Sequence, residues 1–149
     1  MITKEDRMPV GLLLVVEDTQ ADARLLKESF KESGVLVNST VVEDGEKAMA
    51  YLRRQGTFTD APRPDLVILD LNIPRKHGHD VLLEIKSDPE LKRIPVVVLT
   101  TSVAEEDVVK CYDLGANCYV VKPIDLDEYI RTTRALAEFW FTVARFPET

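Results

Sequence analysis

The sequence predicts an α/β fold: one domain on a five-stranded parallel sheet with helices on both faces, strand order 2-1-3-4-5. Three observations predict it. Strand-length apolar runs alternate five times with longer segments of helical pattern. The first, third and fourth runs are apolar throughout, as strands buried on both faces must be. A length of 149 residues suits one domain and supports a real core.

The elements follow in order. The five strands are GLLLVV (11–16), VLVNSTVV (35–42), DLVILD (65–70), IPVVVLT (94–100) and CYVV (118–121). Between them lie TQADARLLKESFKESG, GEKAMAYLRRQG, HDVLLEIKS and AEEDVVKCYDLG, and a fifth helical segment spans 126–147. Gly34, Gly56 and Gly115 stand where helix C-caps belong, and Pro95 bars a helix from entering the fourth strand. Ser102-x-x-Glu105 reads as a capping box for the fourth helix, and Asp125-x-x-Glu128 as an Asp-led one for the fifth. QGTFTDAPRP (55–64) reads as a surface loop and residues 1–9 as an N-terminal tail.

Composition excludes several classes. A net charge of −7 argues against nonspecific nucleic-acid or anionic-membrane binding. No apolar run approaches the ~20 residues of a membrane span. The start, MITKEDRMPV, carries acids and has no apolar segment before Pro9, so it does not read as a secretory signal. Cys111 and Cys118 do not make a disulfide framework, so both read as reduced thiols in a cytoplasmic protein. His77 and His79 flank a turn glycine and read as solvated loop histidines.

In doubly wound sheets ligands bind beyond the carboxyl ends of the strands. There the sequence places Glu17 and Asp18, then Asp70 and Asn72, then Thr100, Thr101 and Ser102, then Lys122 and Pro123. Clustered carboxylates at a low-dielectric edge repel and need a cation. Mg²⁺ suits them, binding through one or two carboxylates while accepting phosphate oxygens. A carboxylate can also attack phosphorus to form an aspartyl phosphate. Singly, each residue has an ordinary reading: Asp70 as a turn residue, Asp18 as a cap, Thr100 as a strand residue, Lys122 as a solvated lysine.

Together VVED, LDLNIP, LTTS and YVVKP resemble the receiver domains of two-component response regulators, a flavodoxin-like family, over roughly residues 10 to 130. The resemblance implies that Asp70 is the phosphoacceptor of a histidine kinase. It implies that Glu17, Asp18, Asp70 and the Asn72 backbone carbonyl hold Mg²⁺, with Mn²⁺ as a substitute. Thr100, Thr101 and Lys122 would contact the phosphoryl group, and Thr100 and Tyr119 would form the switch, with a half-buried core role the alternative for Tyr119. Lys122-Pro123 would be a cis peptide. Two departures stand out: Glu17 in place of the commoner Asp, and His77 before Gly78. Such a protein catalyses its own phosphorylation and slow hydrolysis and is not an enzyme acting on a metabolite. RRQGTFTDAPRPDLVILDLNIPRKHG and FWFTVARFP further resemble the stand-alone regulators paired with bacterial and cyanobacterial phytochrome histidine kinases.

The fifth helix carries more apolar surface than packing requires. At ~100° per residue, Leu126, Tyr129, Ile130, Thr133, Leu136, Ala137, Trp140 and Ala144 share one face. Phe139, Val143 and Phe146 extend beyond it, which suggests a homodimer interface on this helix. The alternative is that the last residues fold back over Phe139 and Phe146. Only PET follows, so no output domain is expected and residues 1–149 read as a single receiver. Two other functions remain open: a phosphorylation-independent dimeric adaptor, and an aspartyl-phosphate hydrolase. The hydrolase is disfavoured because Asp70-Leu71-Asn72 lacks a second acid.

Overall fold

A computed structural model describes residues 11–148; the expected tail at 1–9 lies outside the described residues. Five parallel strands, β1 (Gly11–Val16), β2 (Val37–Val42), β3 (Leu66–Leu69), β4 (Val96–Thr100) and β5 (Cys118–Val121), form one sheet in the order β2-β1-β3-β4-β5. The helices are α1 (Gln20–Glu32), α2 (Gly45–Leu52), α3 (Gly78–Ser87), α4 (Glu105–Asp113) and α5 (Leu126–Glu138). This is the flavodoxin-like arrangement expected from the apolar runs.

Strand periodicity sorts the core into two layers. Leu13, Val15, Leu66, Ile68, Val97 and Leu99 face α1 and α5, where Leu26, Phe30, Leu136 and Phe141 meet them. Their neighbours Leu14, Val16, Val67, Leu69, Val96 and Val98 face the other way, against α2, α3 and α4. Because every residue of β3 and β4 is buried, these strands show no polar alternation in sequence. Cys111 is buried in α4 and Cys118 half-buried on β5, both as free thiols, and burial raises the pKa of each.

Helix ends depart from expectation in two places. Gly115 takes a positive φ of 105° past α4, with the Ala116 N–H bonded to the Cys111 carbonyl, as expected of a C-cap. Gly56 does not cap α2. That helix ends at Leu52, and Arg54 takes the left-handed conformation at φ 56°, its own N–H bonded to Tyr51 and the next N–H to Ala50. Ser102 does not form a capping box with Glu105 either. The N-cap of α4 is Ala104, and the Ser102 hydroxyl instead donates to Asp107 at 2.6 Å. Asp125 does cap α5, accepting from the Glu128 N–H.

The long C-terminal helix is present but changes character. It runs as an α-helix to Glu138, continues as a π-helix over Phe139–Val143, and ends there rather than at 147, with Ala144 extended. The wider turn rotates the phase. Phe141 is buried where Ala144 was expected to cover the sheet, while Leu126 at the other end is 54% exposed. Phe146 returns over this turn, with ring centroids 5.3 Å from Phe141 and 6.3 Å from Trp140. It is therefore half-buried within its own chain, whereas Phe139 (49% exposed) and Val143 (72%) face outward.

Candidate functional site

Register brings the four strand ends level. Val16 pairs with Leu69, and Thr100 with Val121, so Glu17, Asp70 and Lys122 emerge at one edge. The backbone holds them past the strands: Asp70 N–H donates to Val16 O at 3.1 Å and Lys122 N–H to Thr100 O at 2.7 Å. Behind Asp70 the chain turns tightly into α3. A side chain at Gly78 would come within 2.7 Å of the Asp70 carbonyl oxygen, so this close approach requires glycine.

Glu17, Asp70 and Lys122 are all buried, whereas Asp18 is exposed. Lys122 Nζ donates to Glu17 Oε1, to Asp70 Oδ2 at 2.9 Å and to Asp22 Oδ2 at 3.0 Å. The other Asp70 oxygen accepts from the Asn72 N–H at 3.3 Å. Carboxylate oxygens of Glu17, Asp18 and Asp70 lie within 4.8 Å of one another.

Burial pushes the Glu17 carboxyl up to about 8 against the pull of Lys122. Burial also works to raise Asp70, but the hydrogen bond and charge of Lys122 outweigh it and hold that carboxyl below its ordinary value. Two carboxylates that share one ammonium also repel each other, so burial and the Asp70 charge raise Glu17 while Lys122 keeps Asp70 ionised. Glu17 Oε2 is buried without a hydrogen-bond partner. An unpartnered carboxylate oxygen beside two further carboxylates is a hard-oxygen donor set that fits a divalent cation.

Around this cluster Thr100 is wholly buried, its hydroxyl accepting from the Ser102 N–H at 3.4 Å, while Thr101 is exposed. Tyr119 is half-buried, and its hydroxyl donates to the Ser102 carbonyl at 3.0 Å. The expected cis peptide at Pro123 is absent: no described peptide bond is cis. Proline only narrows the trans preference to about 0.5–1 kcal/mol and does not reverse it.

Two groups escaped the sequence reading. Asp22 sits in the first turn of α1 and looks like an ordinary helix-opening acid, yet it reaches Lys122 from 100 residues away. His79 is buried in the first turn of α3, not solvated, with its Nε2 lacking a hydrogen-bond partner and 3.7 Å from Asp107 Oδ1. His77 is the exposed N-cap, its Nδ1 accepting from the His79 N–H.

Residues 13–134 match the family profile of the response regulator receiver domain. The chain belongs to this family. Response regulator Rcp1 of Synechocystis is 43% identical over 143 residues, covering 96% of this chain and 97% of that protein. The crystal structure of the phosphorylated cyanobacterial phytochrome response regulator RcpA superposes with a TM-score of 0.90 at 48% identity, covering 93% of this chain and 99% of that one. The Mn²⁺-bound form of Rcp1 does so with a TM-score of 0.89 at 44% identity, covering 92% and 99%. The receiver edge built by Glu17, Asp70, Thr100 and Lys122 is thus the edge at which doubly wound sheets place ligands. Among the described residues, no helix is long and apolar enough to cross a membrane.

Proposed function

We propose that this receiver accepts a phosphoryl group on Asp70 from a histidine kinase, in a Mg²⁺-dependent phosphorelay. The observation that carries the reading is the placement of Asp70: a carboxylate at the end of a buried strand, 2.9 Å from the Lys122 ammonium and grouped with Glu17 and Asp18. An Asp70 oxygen attacks phosphorus as the phosphorus–nitrogen bond of a phosphohistidine breaks. When bound by Glu17, Asp18, Asp70 and the Asn72 carbonyl, Mg²⁺ supplies positive charge to the phosphoryl oxygens. Lys122 supplies the second positive charge, already fixed before the phosphoryl group arrives. Thr100 and Thr101 stand at the end of β4 to contact the phosphoryl oxygens. Asp70, with its carboxyl held below the ordinary range by Lys122, is ionised as a nucleophile must be.

The added phosphate brings about −1.5 to −2 charges. Thr100 and Tyr119, joined through the Ser102 backbone, relay this to the surface of α4, β5 and α5. The kinase is of the phytochrome type, a reading supported by likeness to regulators described as belonging to phytochromes. Response regulator RPA3017, described in red light signalling of R. palustris, adds support at 33% identity and a TM-score of 0.85, covering 95% of this chain and 100% of that one. Two copies of the chain pair through the outward Phe139 and Val143 at the end of α5. The chain signals through that surface.

Incubation with acetyl phosphate and Mg²⁺ followed by mass-spectrometric mapping tests the reading. The wild-type chain gains one phosphoryl group on Asp70 and Asp70→Asn gains none. An unmodified wild type favours a phosphorylation-independent adaptor, and rapid steady turnover favours a hydrolase.

A further inference from the structure

We infer that Asp22 is a positioning residue of the phosphoryl-transfer site, holding the Lys122 ammonium in place from the α1 side. The inference rests on the phosphoacceptor reading of Asp70. An ammonium has three N–H donors, and Lys122 Nζ has three carboxylate partners: Glu17, Asp70 at 2.9 Å and Asp22 at 3.0 Å. Two of those partners have other work. Glu17 and Asp70 belong to the carboxylate group that fits a cation, and Asp22 does not.

A cation in that group binds two of the carboxylates that hold Lys122 and competes with the ammonium for their charge. A phosphoryl group on Asp70 draws on one of them again. Asp22 is the acceptor that neither event consumes. Lysine carries its charge on a flexible four-carbon stem with rotatable donors, so a fixed third acceptor keeps the ammonium over the site while its other partners change.

Asp22 is itself braced. The hydroxyl of Tyr129, a buried residue of α5, lies 3.3 Å from the Asp22 carbonyl oxygen. An acid in the first turn of a helix also favours the helix dipole, and Asp22 is such an acid in α1. That role explains its position on the helix but requires no contact with Lys122.

Three measurements on the full chain test the assignment: labelling rate with acetyl phosphate, Mg²⁺ affinity, and exchange of the Lys122 ammonium protons in the metal-free protein by ¹⁵N NMR. Asp22→Ala lowers the saturated labelling rate about tenfold, which is ~1.4 kcal/mol of transition-state stabilisation. Its Mg²⁺ midpoint stays within about threefold of wild type, since binding of the metal is left intact. Lys122 exchange becomes faster. Asp22→Asn keeps an acceptor oxygen and recovers most of the rate, although it removes the charge that a helix dipole would use.

Asp22→Ala labelling at the wild-type rate, or losing Mg²⁺ affinity in step with rate, overturns the assignment. So does an Asn variant as slow as the Ala one with wild-type Lys122 exchange. Wild-type chain that takes no phosphoryl group removes the phosphoacceptor reading and this one together, whereas a labelled wild type matched by Asp22→Ala removes this one alone.

Discussion

The Tyr119 hydroxyl donates to the Ser102 carbonyl at 3.0 Å, tying β5 to the loop that leaves β4. The same loop residue bonds Thr100 through its N–H and Asp107 through its hydroxyl. One serine thus joins the buried strand end, the aromatic ring and the first turn of α4. Tyr119→Phe removes the anchor and keeps the ring, so urea denaturation should show a loss of about 0.5–1.5 kcal/mol. An unchanged midpoint would mean that this bond contributes nothing to the loop.

Metal binding should stabilise the fold through the carboxylates it neutralises. At a Mg²⁺ concentration 100 times Kd, one site contributes about 2.7 kcal/mol, or roughly 5–10 °C in Tm for a chain of this size. Asp18→Asn should lose most of that shift while folding normally, because Asp18 is exposed and its one structural demand is the cluster itself. Differential scanning fluorimetry with and without EDTA reads both effects.

His79 predicts a pH dependence with a definite sign. Burial, with the positive charges of His77 and Lys110, depresses its pKa against the opposing pull of Asp107 and Asp80. Below the ordinary value of 6.5 the unfolded chain takes up a proton that folded His79 excludes. The associated stability is full above pH 6.5 and is lost as pH falls toward the folded value. Urea midpoints from pH 8 to 5 should therefore fall more steeply for wild type than for His79→Gln. Parallel curves would sink the idea.

The two aromatic residues near the chain end should separate cleanly. Phe139→Ala removes an outward side chain, so self-association by sedimentation weakens about tenfold or more, while loss of its edge contact with Trp140 costs about 0.5–1.5 kcal/mol of stability. Phe146→Ala removes a ring lodged on Trp140 and Phe141 and should cost about 1–3 kcal/mol, below the range for a full core phenylalanine. A wild-type monomer at high concentration would refute the pairing.

What was readable in sequence follows from what each signal depends on. Strands β3 and β4 show as unbroken apolar runs because both of their faces are covered. The edge strand β2 is half-open and begins two residues later than its apolar run. The site residues at the strand ends were legible because β-sheet register, not loop conformation, sets them side by side. Asp22 was not, because its partner is 100 residues away and its local pattern is that of any helix start. Ser102 misled in the same way: S-x-x-E spacing describes a box, but the hydroxyl found Asp107 instead. The end of α5 escaped because a search at one fixed angle per residue assumes that the angle never changes.

That change of angle makes α5 a shaft with a twist in it. Its first half is keyed to the site through Tyr129 and Asp22, while its far end is pinned where the Phe141 ring leaves no room for a side chain at Gly11. A rod held at both ends cannot roll freely, so any rotation of its first half would have to be taken up in the π-helical turn at 139–143. Deleting one residue from that turn would reset the angular offset between the two ends. The chain would then have to choose which end stays engaged: Phe141 in its socket or Tyr129 behind Asp22.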